Sequence, residues 1–246
     1  MIIEIYVAIL GCLIGSFLNV CIYRIPRRES VAFPPSHCPK CNHKIRWYEN
    51  IPILSYVVLL RGRCSSCREK ISIRYPIVEA MTGAAWLVCY MKFGMGLWTP
   101  VSIITVTLLI FGSMVDLDHY YIPNRVSLGI MGMGLIFSLV NGIGIERAIL
   151  GGAIYGLPFL LIYGYGADIW KREVLGFGDV KLAVALGTLM GYVNLFVVHI
   201  FITISFLTGA VVGVTLMLTK KKGRGDEIPF GPYIAIGGMV TLLYFY

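Results

Sequence analysis

The chain is predicted to be an all-α polytopic membrane protein with about eight transmembrane helices and a small cytoplasmic segment that binds zinc. Of its 246 residues, 57% are hydrophobic and 14% charged, with a mean hydropathy of +0.78. That is too apolar for an ordinary soluble domain and long enough for several bilayer crossings. Apolar stretches recur at 3–22, 76–94, 98–117, 126–141, 147–167, 180–192, 194–219 and 232–246, the shorter ones falling below the roughly 20 residues that cross the hydrocarbon unaided. The longest polar interval, 23–75, carries two Cys-x-x-Cys pairs.

The first stretch differs from a cleaved signal peptide. Its leading residues hold Glu4 and no Lys or Arg, and Arg24, Arg27 and Arg28 follow it. This pattern places the N-terminus outside. The segments 23–75, 118–125, 168–179 and 220–231 then share one side, and they and their helix edges hold every Lys and Arg of the 21 except Lys92 and Arg147. Positive charge collects on the cytoplasmic side of membrane proteins, so that side is read as the cytoplasm. The net charge of +8 is therefore assigned to topology rather than to nucleic-acid binding. The run Lys220-Lys221-Lys222 with Arg224 reads as an anchor that also holds acidic membrane lipid. The expected organisation is a first helix at 1–22, a zinc segment at 23–75 and a core of about seven helices at 76–246.

Within 23–75, "CPKC" at 38–41 and "CSSC" at 64–67 stand 22 residues apart. Paired thiolates at this spacing form two tight turns whose four sulfurs complete a tetrahedron, so Cys38, Cys41, Cys64 and Cys67 are the candidate metal ligands. Four thiolates leave no open position for water, which makes the zinc structural. A segment with so little apolar content also needs such a staple. His37 and His43 adjoin the first pair and are read as solvated loop residues; Cys12, Cys21 and Cys89 lie in apolar runs and are read as packing residues. "IPILSYVVLL" is too short to cross the membrane and is expected to pack on the spans or at the interface.

There are 13 acidic residues, most of them in loops. Asp116 near the end of the third stretch, Asp179 at the start of the sixth and Glu79 inside the second are the exceptions. A carboxylate in or beside hydrocarbon is costly, and so marks a functional candidate. Two aspartates at one depth equip a site for peptide hydrolysis without metal. The ionised one takes a proton from the attacking water, and the protonated one stabilises the oxygen that becomes negative. Gly176 and Gly178 in "LGFGDVKLA" are expected to let the backbone turn sharply and a substrate approach Asp179. On a continuous helix, residues two apart point about 200° away from each other. Asp116 and Asp118 therefore cannot both face Asp179. Asp179 at a helix N-terminus and Asp116 at a helix C-terminal end are expected to divide the roles, Asp179 as ionised base and Asp116 as protonated partner. Glu79 is expected to meet an arginine of the zinc segment or a basic substrate; Asn19 is read as a contact to substrate backbone or lipid phosphate, and Arg24 as a membrane-edge anchor in preference to such a contact.

"GSFLNVCIYRIPRRES", "WYENIPILSYVVLLRGRC", "RYPIVEAMTG", "DLDHYYIPN", "LGFGDVKLAVALG" and "EIPFGPYIAIGG", in that order, resemble the type IV prepilin peptidases, Gly-x-Gly-Asp membrane aspartyl proteases. The resemblance runs nearly end to end. It implies removal of a short basic leader from prepilins or pseudopilins after a glycine, at the cytoplasmic face of a bacterial inner membrane. It also implies methylation of the new N-terminus with S-adenosylmethionine. The family's first aspartate precedes Ile/Leu-Pro-Asp/Asn by five residues, which here selects Asp116 before Ile122-Pro123-Asn124; the second is Asp179. Asp118 and His119 are then solvated or capping residues. The chain has no glycine-rich nucleotide loop of Rossmann type, so the methyl donor rests on the resemblance alone. Bottom-up, the competing reading is a proton-coupled transporter using Asp116, Asp179 and Glu79 as a relay. Oligomeric state is left open.

Overall fold

The computed structural model describes every residue except Met1, Ile143, 172–174, Lys221 and 224–225, and the side chains of Ala167 and Trp170 are likewise left aside. Lys221 and Arg224 of the basic run thus lie outside the described residues. The described residues form eight α-helices and no β-strand: α1 Ile2–Arg24, α2 Arg74–Phe93, α3 Trp98–His119, α4 Asn124–Val140, α5 Ile145–Trp170, α6 Phe177–Met190, α7 Leu195–Leu218 and α8 Gly231–Phe245. Each coincides with one apolar stretch of the sequence. Four are long and apolar enough to cross a membrane, namely α1, α3, Ile145–Gly166 of α5, and α7; α4 and α8 are apolar but shorter.

The chain divides into two compact units, Met1–Thr107 and Leu108–Tyr246. In the first, α1 lies against α2 through small residues. A Cβ at Gly11 would stand 2.8 Å from the Gly83 Cα, and one at Gly15 would stand 2.8 Å from the Glu79 Cα. Close backbone approach replaces the hydrophobic drive that lipid removes. Asn19 is buried here and its amide donates to the Tyr75 carbonyl at 3.1 Å, which joins the end of α1 to the start of α2. The expected contact of Asn19 with substrate or lipid is thereby replaced by a structural one. Cys21 and Cys89 are buried, and the Cys12 sulfur packs on Gly83, as packing residues should.

In the second unit α6 is central, and most of its length is buried. Helix α5 meets it through Gly151, Gly152 and Gly156, α4 through Gly134, whose Cβ would fall 2.6 Å from the Leu189 Cα, and α8 through Gly238, 2.6 Å from a Leu186 methyl. A helix enclosed on several sides has a fixed N-terminus, and that end carries Asp179. Phe159, Phe201, Phe206 and Phe230 cluster at centroid separations of 5.1–6.4 Å, which holds the residue just before α8.

Candidate functional site

Asp116 and Asp179 are both buried, 5% and 7% exposed. Asp179 is the third residue of α6, and its Oδ2 accepts the Gly176 N–H at 3.1 Å while its own N–H donates to the Gly176 carbonyl at 3.0 Å. This reciprocal pair closes the first turn as in a capping box. Asp116 lies one turn before the end of α3, and its Oδ2 accepts the Gly231 N–H at 2.9 Å. Ile122, buried between the two, sits against both glycines: a Cβ at Gly231 would meet its Cδ1 at 2.9 Å, and one at Gly178 would meet its Cβ at 3.4 Å. The carboxylates are near enough for the charge of Asp116 to act on Asp179. Asp118, two residues on, is exposed, as the helical rotation requires.

Two expectations need correction. Gly176 has φ −74° and ψ 145°, open to any residue, and Gly178 lies inside the helix. Space is their contribution, since a Cβ at Gly176 would stand 3.3 Å from the Asp179 carboxylate, and no sharp turn is involved. The division of roles between the aspartates also loses its premise. Gly231 is the first residue of α8, so Asp116 faces a helix N-terminus just as Asp179 does, and the dipoles of α6 and α8 favour charge on each. Gly231 and Ile122 received no role in the sequence reading. The available signal was Gly231-Pro232, a helix-start pattern that follows a loop rich in charge.

Gly231→Ala should slow any reaction the aspartate pair carries by about tenfold or more, because its methyl would lie 2.8 Å from the Asp116 Oδ2 and must displace the carboxylate or the α8 start. A rate assay on folded, membrane-inserted protein checks this. Asp118→Ala should stay within about threefold of the parent rate, since surface substitutions away from the reacting groups cost little.

Glu79 is buried and its Oε2 accepts the Ile53 N–H at 2.7 Å, with the Ser16 hydroxyl as a second partner. These groups stand where an arginine of the zinc segment was one of the two expected partners. Ile53 stands at φ 59°, a strained conformation for a β-branched residue, and the Glu79 hydrogen bond helps to hold it. Glu79 thus ties "IPILSYVVLL" to α2. That stretch forms one turn of π-helix, Ser55–Leu59, with Leu54, Val57, Val58 and Leu59 exposed.

The four cysteine sulfurs lie within 4.8 Å of one another, with Cys38 to Cys67 at 3.8 Å and Cys41 to Cys64 at 3.9 Å. Metal–sulfur bonds of about 2.3 Å in a tetrahedron give sulfur separations of about 3.8 Å, whereas a disulfide needs about 2.05 Å. The cluster therefore fits one tetrahedral metal ion. Each pair sits in the same backbone turn. Cys38 donates to the His43 carbonyl and Cys64 to that of Glu69; Asn42 and Arg68 donate back to Cys38 and Cys64, both in the left-handed region at φ 56° and 59°. Ile45 to Ser36 and Ile71 to Gly62 close the two turns identically. "CPKCNHKI" and "CSSCREKI" are thus one structural unit used twice. His37 contacts the Pro35 carbonyl and His43 approaches Glu49 at 3.5 Å, so neither histidine joins the cluster.

Glu49, which the sequence reading passed over, is buried between the two turns. The Arg46 N–H, the Ser65 hydroxyl and His43 hold its carboxyl below the usual range. A depressed pKa contributes stability at neutral pH that is lost as pH falls through the carboxylate range.

The family model described as "Bacterial Peptidase A24 N-terminal domain" matches residues 9–93, and "Type IV leader peptidase family" matches 103–214. Relatives named "Prepilin leader peptidase/N-methyltransferase" include those of Myxococcus xanthus, 36% identical over 91% of this chain and 66% of that protein, and Aeromonas salmonicida, 33% identical over 97% and 89%. Another is from Pseudomonas aeruginosa, 34% identical over 96% and 88%. The chain therefore spans just under two thirds of the Myxococcus protein and close to nine tenths of the other two. No solved structure matches. The transporter reading finds no support in these likenesses. With both parts matched in order and relatives at 33–36% identity over nearly the whole chain, this chain belongs to the type IV leader peptidase family.

Proposed function

We propose that this chain is a membrane-embedded aspartyl endopeptidase that removes the short basic leader of prepilins or pseudopilins after a glycine and then methylates the new N-terminus. The observation that carries this is the pairing of Asp116 with Asp179, each buried and each given one backbone donor, from α8 and from the loop before α6. Close carboxylates share one proton. The ionised one accepts a proton from water as the water attacks the scissile carbonyl, and the protonated one donates to the carbonyl oxygen as it gains charge. The proton taken from water then passes to the leaving amine. The Gly231 and Gly176 N–H groups hold both side chains in place through these changes. Gly176 is exposed and without side chain, which leaves room for an extended substrate.

Cys38, Cys41, Cys64 and Cys67 would hold zinc, which supplies folding energy to 23–75. Helices 76–246 carry the peptidase. Charge sorting favours an inner-membrane protein with its N-terminus outside and the aspartates facing the cytoplasm. Two cavities of the first unit do not fit S-adenosylmethionine. One is lined along His43–Tyr48 and includes Lys44 and Arg46; the other carries Arg24; neither presents a carboxylate to a cationic sulfonium. No step is therefore derived through the methyl donor. Incubating the purified protein with a peptide carrying a basic leader ending in glycine tests the reading by mass spectrometry. Leader release and a methyl mass increment on the product are expected, and an intact peptide overturns the proposal.

A further inference from the structure

Arg24 ends α1 with its side chain turned inward. It is 7% exposed, yet its guanidinium partner is one carbonyl, that of Ser30, 2.9 Å from Nη1. A guanidinium has five N–H donors, and a buried cation without a counter-charge is costly. Beside it opens a cavity of about 250 Å³ between α1 and the loop 31–36, and no acidic residue lines it. One wall is the apolar face of Leu13, Phe17 and Val20, spaced four and three residues apart and followed four residues on by Arg24, so that all four share one side of the helix. Leu13 and Phe17 are 49% and 52% exposed. Ser36 and Asn50 add polar side chains to the lining. An apolar stripe on a helix of bilayer length thus leads to a buried cation that has no counter-ion among the described residues.

We propose that this cavity binds the phosphate of an anionic phospholipid, with its acyl chain along Leu13, Phe17 and Val20. At about 250 Å³ it is smaller than the roughly 300–1,000 Å³ of pockets that enclose a whole cofactor, so it takes a headgroup and leaves the chain outside. The planar guanidinium suits a phosphate through two parallel hydrogen bonds, which a lysine could not supply. Arg27 and Arg28 next to it are exposed; Arg27 lies over the Tyr23 ring at 3.9 Å. They add field without a cavity. This site is separate from the aspartate pair and does not rest on the peptidase reading.

The test is lipid retention by the full-length protein, read by native mass spectrometry after exchange through bilayer discs of phosphatidylglycerol or phosphatidylcholine. The parent protein should keep one phosphatidylglycerol, at least tenfold in preference to phosphatidylcholine. Arg24→Gln should lose that preference, Arg24→Lys should keep part of it, and Arg28→Gln should match the parent. Ala32→Trp, on the exposed loop, fills the cavity without touching the cation and should cause the same loss, so it decides the matter if Arg24→Gln fails to fold. Retention unchanged in a folded Arg24→Gln or Ala32→Trp protein overturns the proposal. Inorganic phosphate that displaces the lipid at equal concentration would make the occupant a free anion and overturn the lipid assignment.

Discussion

Asp116→Ala and Asp179→Ala should each abolish leader cleavage, with rates down by about a thousandfold or more, while the protein still inserts and keeps its helices. The size follows from the shared proton. Removing either carboxylate removes both the partner that fixes the proton and one half of the acid–base exchange, so the two losses are not additive and the double variant is no worse than either single one. Because the Gly231 N–H at the start of α8 donates to Asp116, both carboxylates face helix N-termini, and the asparagine variants at 116 and 179 should fall together, to within about tenfold of each other. Asparagine donates like a protonated acid but cannot serve as a base. Single-turnover cleavage of a prepilin peptide measures all five proteins. Near-parent activity in either alanine variant removes that residue from the pair, and a wide gap between the asparagine variants restores the unequal roles that the sequence suggested.

The helices were legible because bilayer thickness imposes its own length on the sequence. Each apolar stretch became a helix, and even the short "VKLAVALGTLM" of α6 was visible as a run bounded by glycines. The aspartates were legible because a carboxylate in an apolar run is conspicuous. What surrounds them was not. Gly231 lies 115 positions from Asp116 and acts through its backbone N–H, which no side-chain pattern announces. Glu79 was conspicuous as well, but its hydrogen bond from the Ile53 N–H is again a backbone contact that no side-chain pattern announces. The shared turn of "CPKCNHKI" and "CSSCREKI" was present in the letters but needed the hydrogen bonds of Asn42 and Arg68 to show that it is one repeated unit.

Cys64→Ser should lose the metal and unfold the segment 23–75 while leaving the α-helices formed. Purified parent protein should carry about one zinc per chain, as one four-thiolate site requires. Cys64 is buried, its N–H donates to the Glu69 carbonyl, and its sulfur stands 3.9 Å from that of Cys41, so a serine oxygen in its place gives a harder, poorer ligand and breaks the tetrahedron. The apparent binding energy of structural zinc, about 10–16 kcal/mol at neutral pH in small zinc domains, far exceeds what this segment's few buried residues supply. Outside the cluster the two turns are joined by few contacts: the isolated bridges of His37 with Lys44 and Arg63 with Lys70, Glu49 between them, and the Tyr56 hydroxyl on the Ile71 carbonyl. Loss of the ion should therefore open both turns at once, expose Cys38 to alkylation, and free Ile53 from Glu79. Atomic absorption gives the metal content, and thiol-labelling rates give the opening. Parent-like protection of Cys38 in a zinc-free Cys64→Ser protein would show that the two turns stand without the metal.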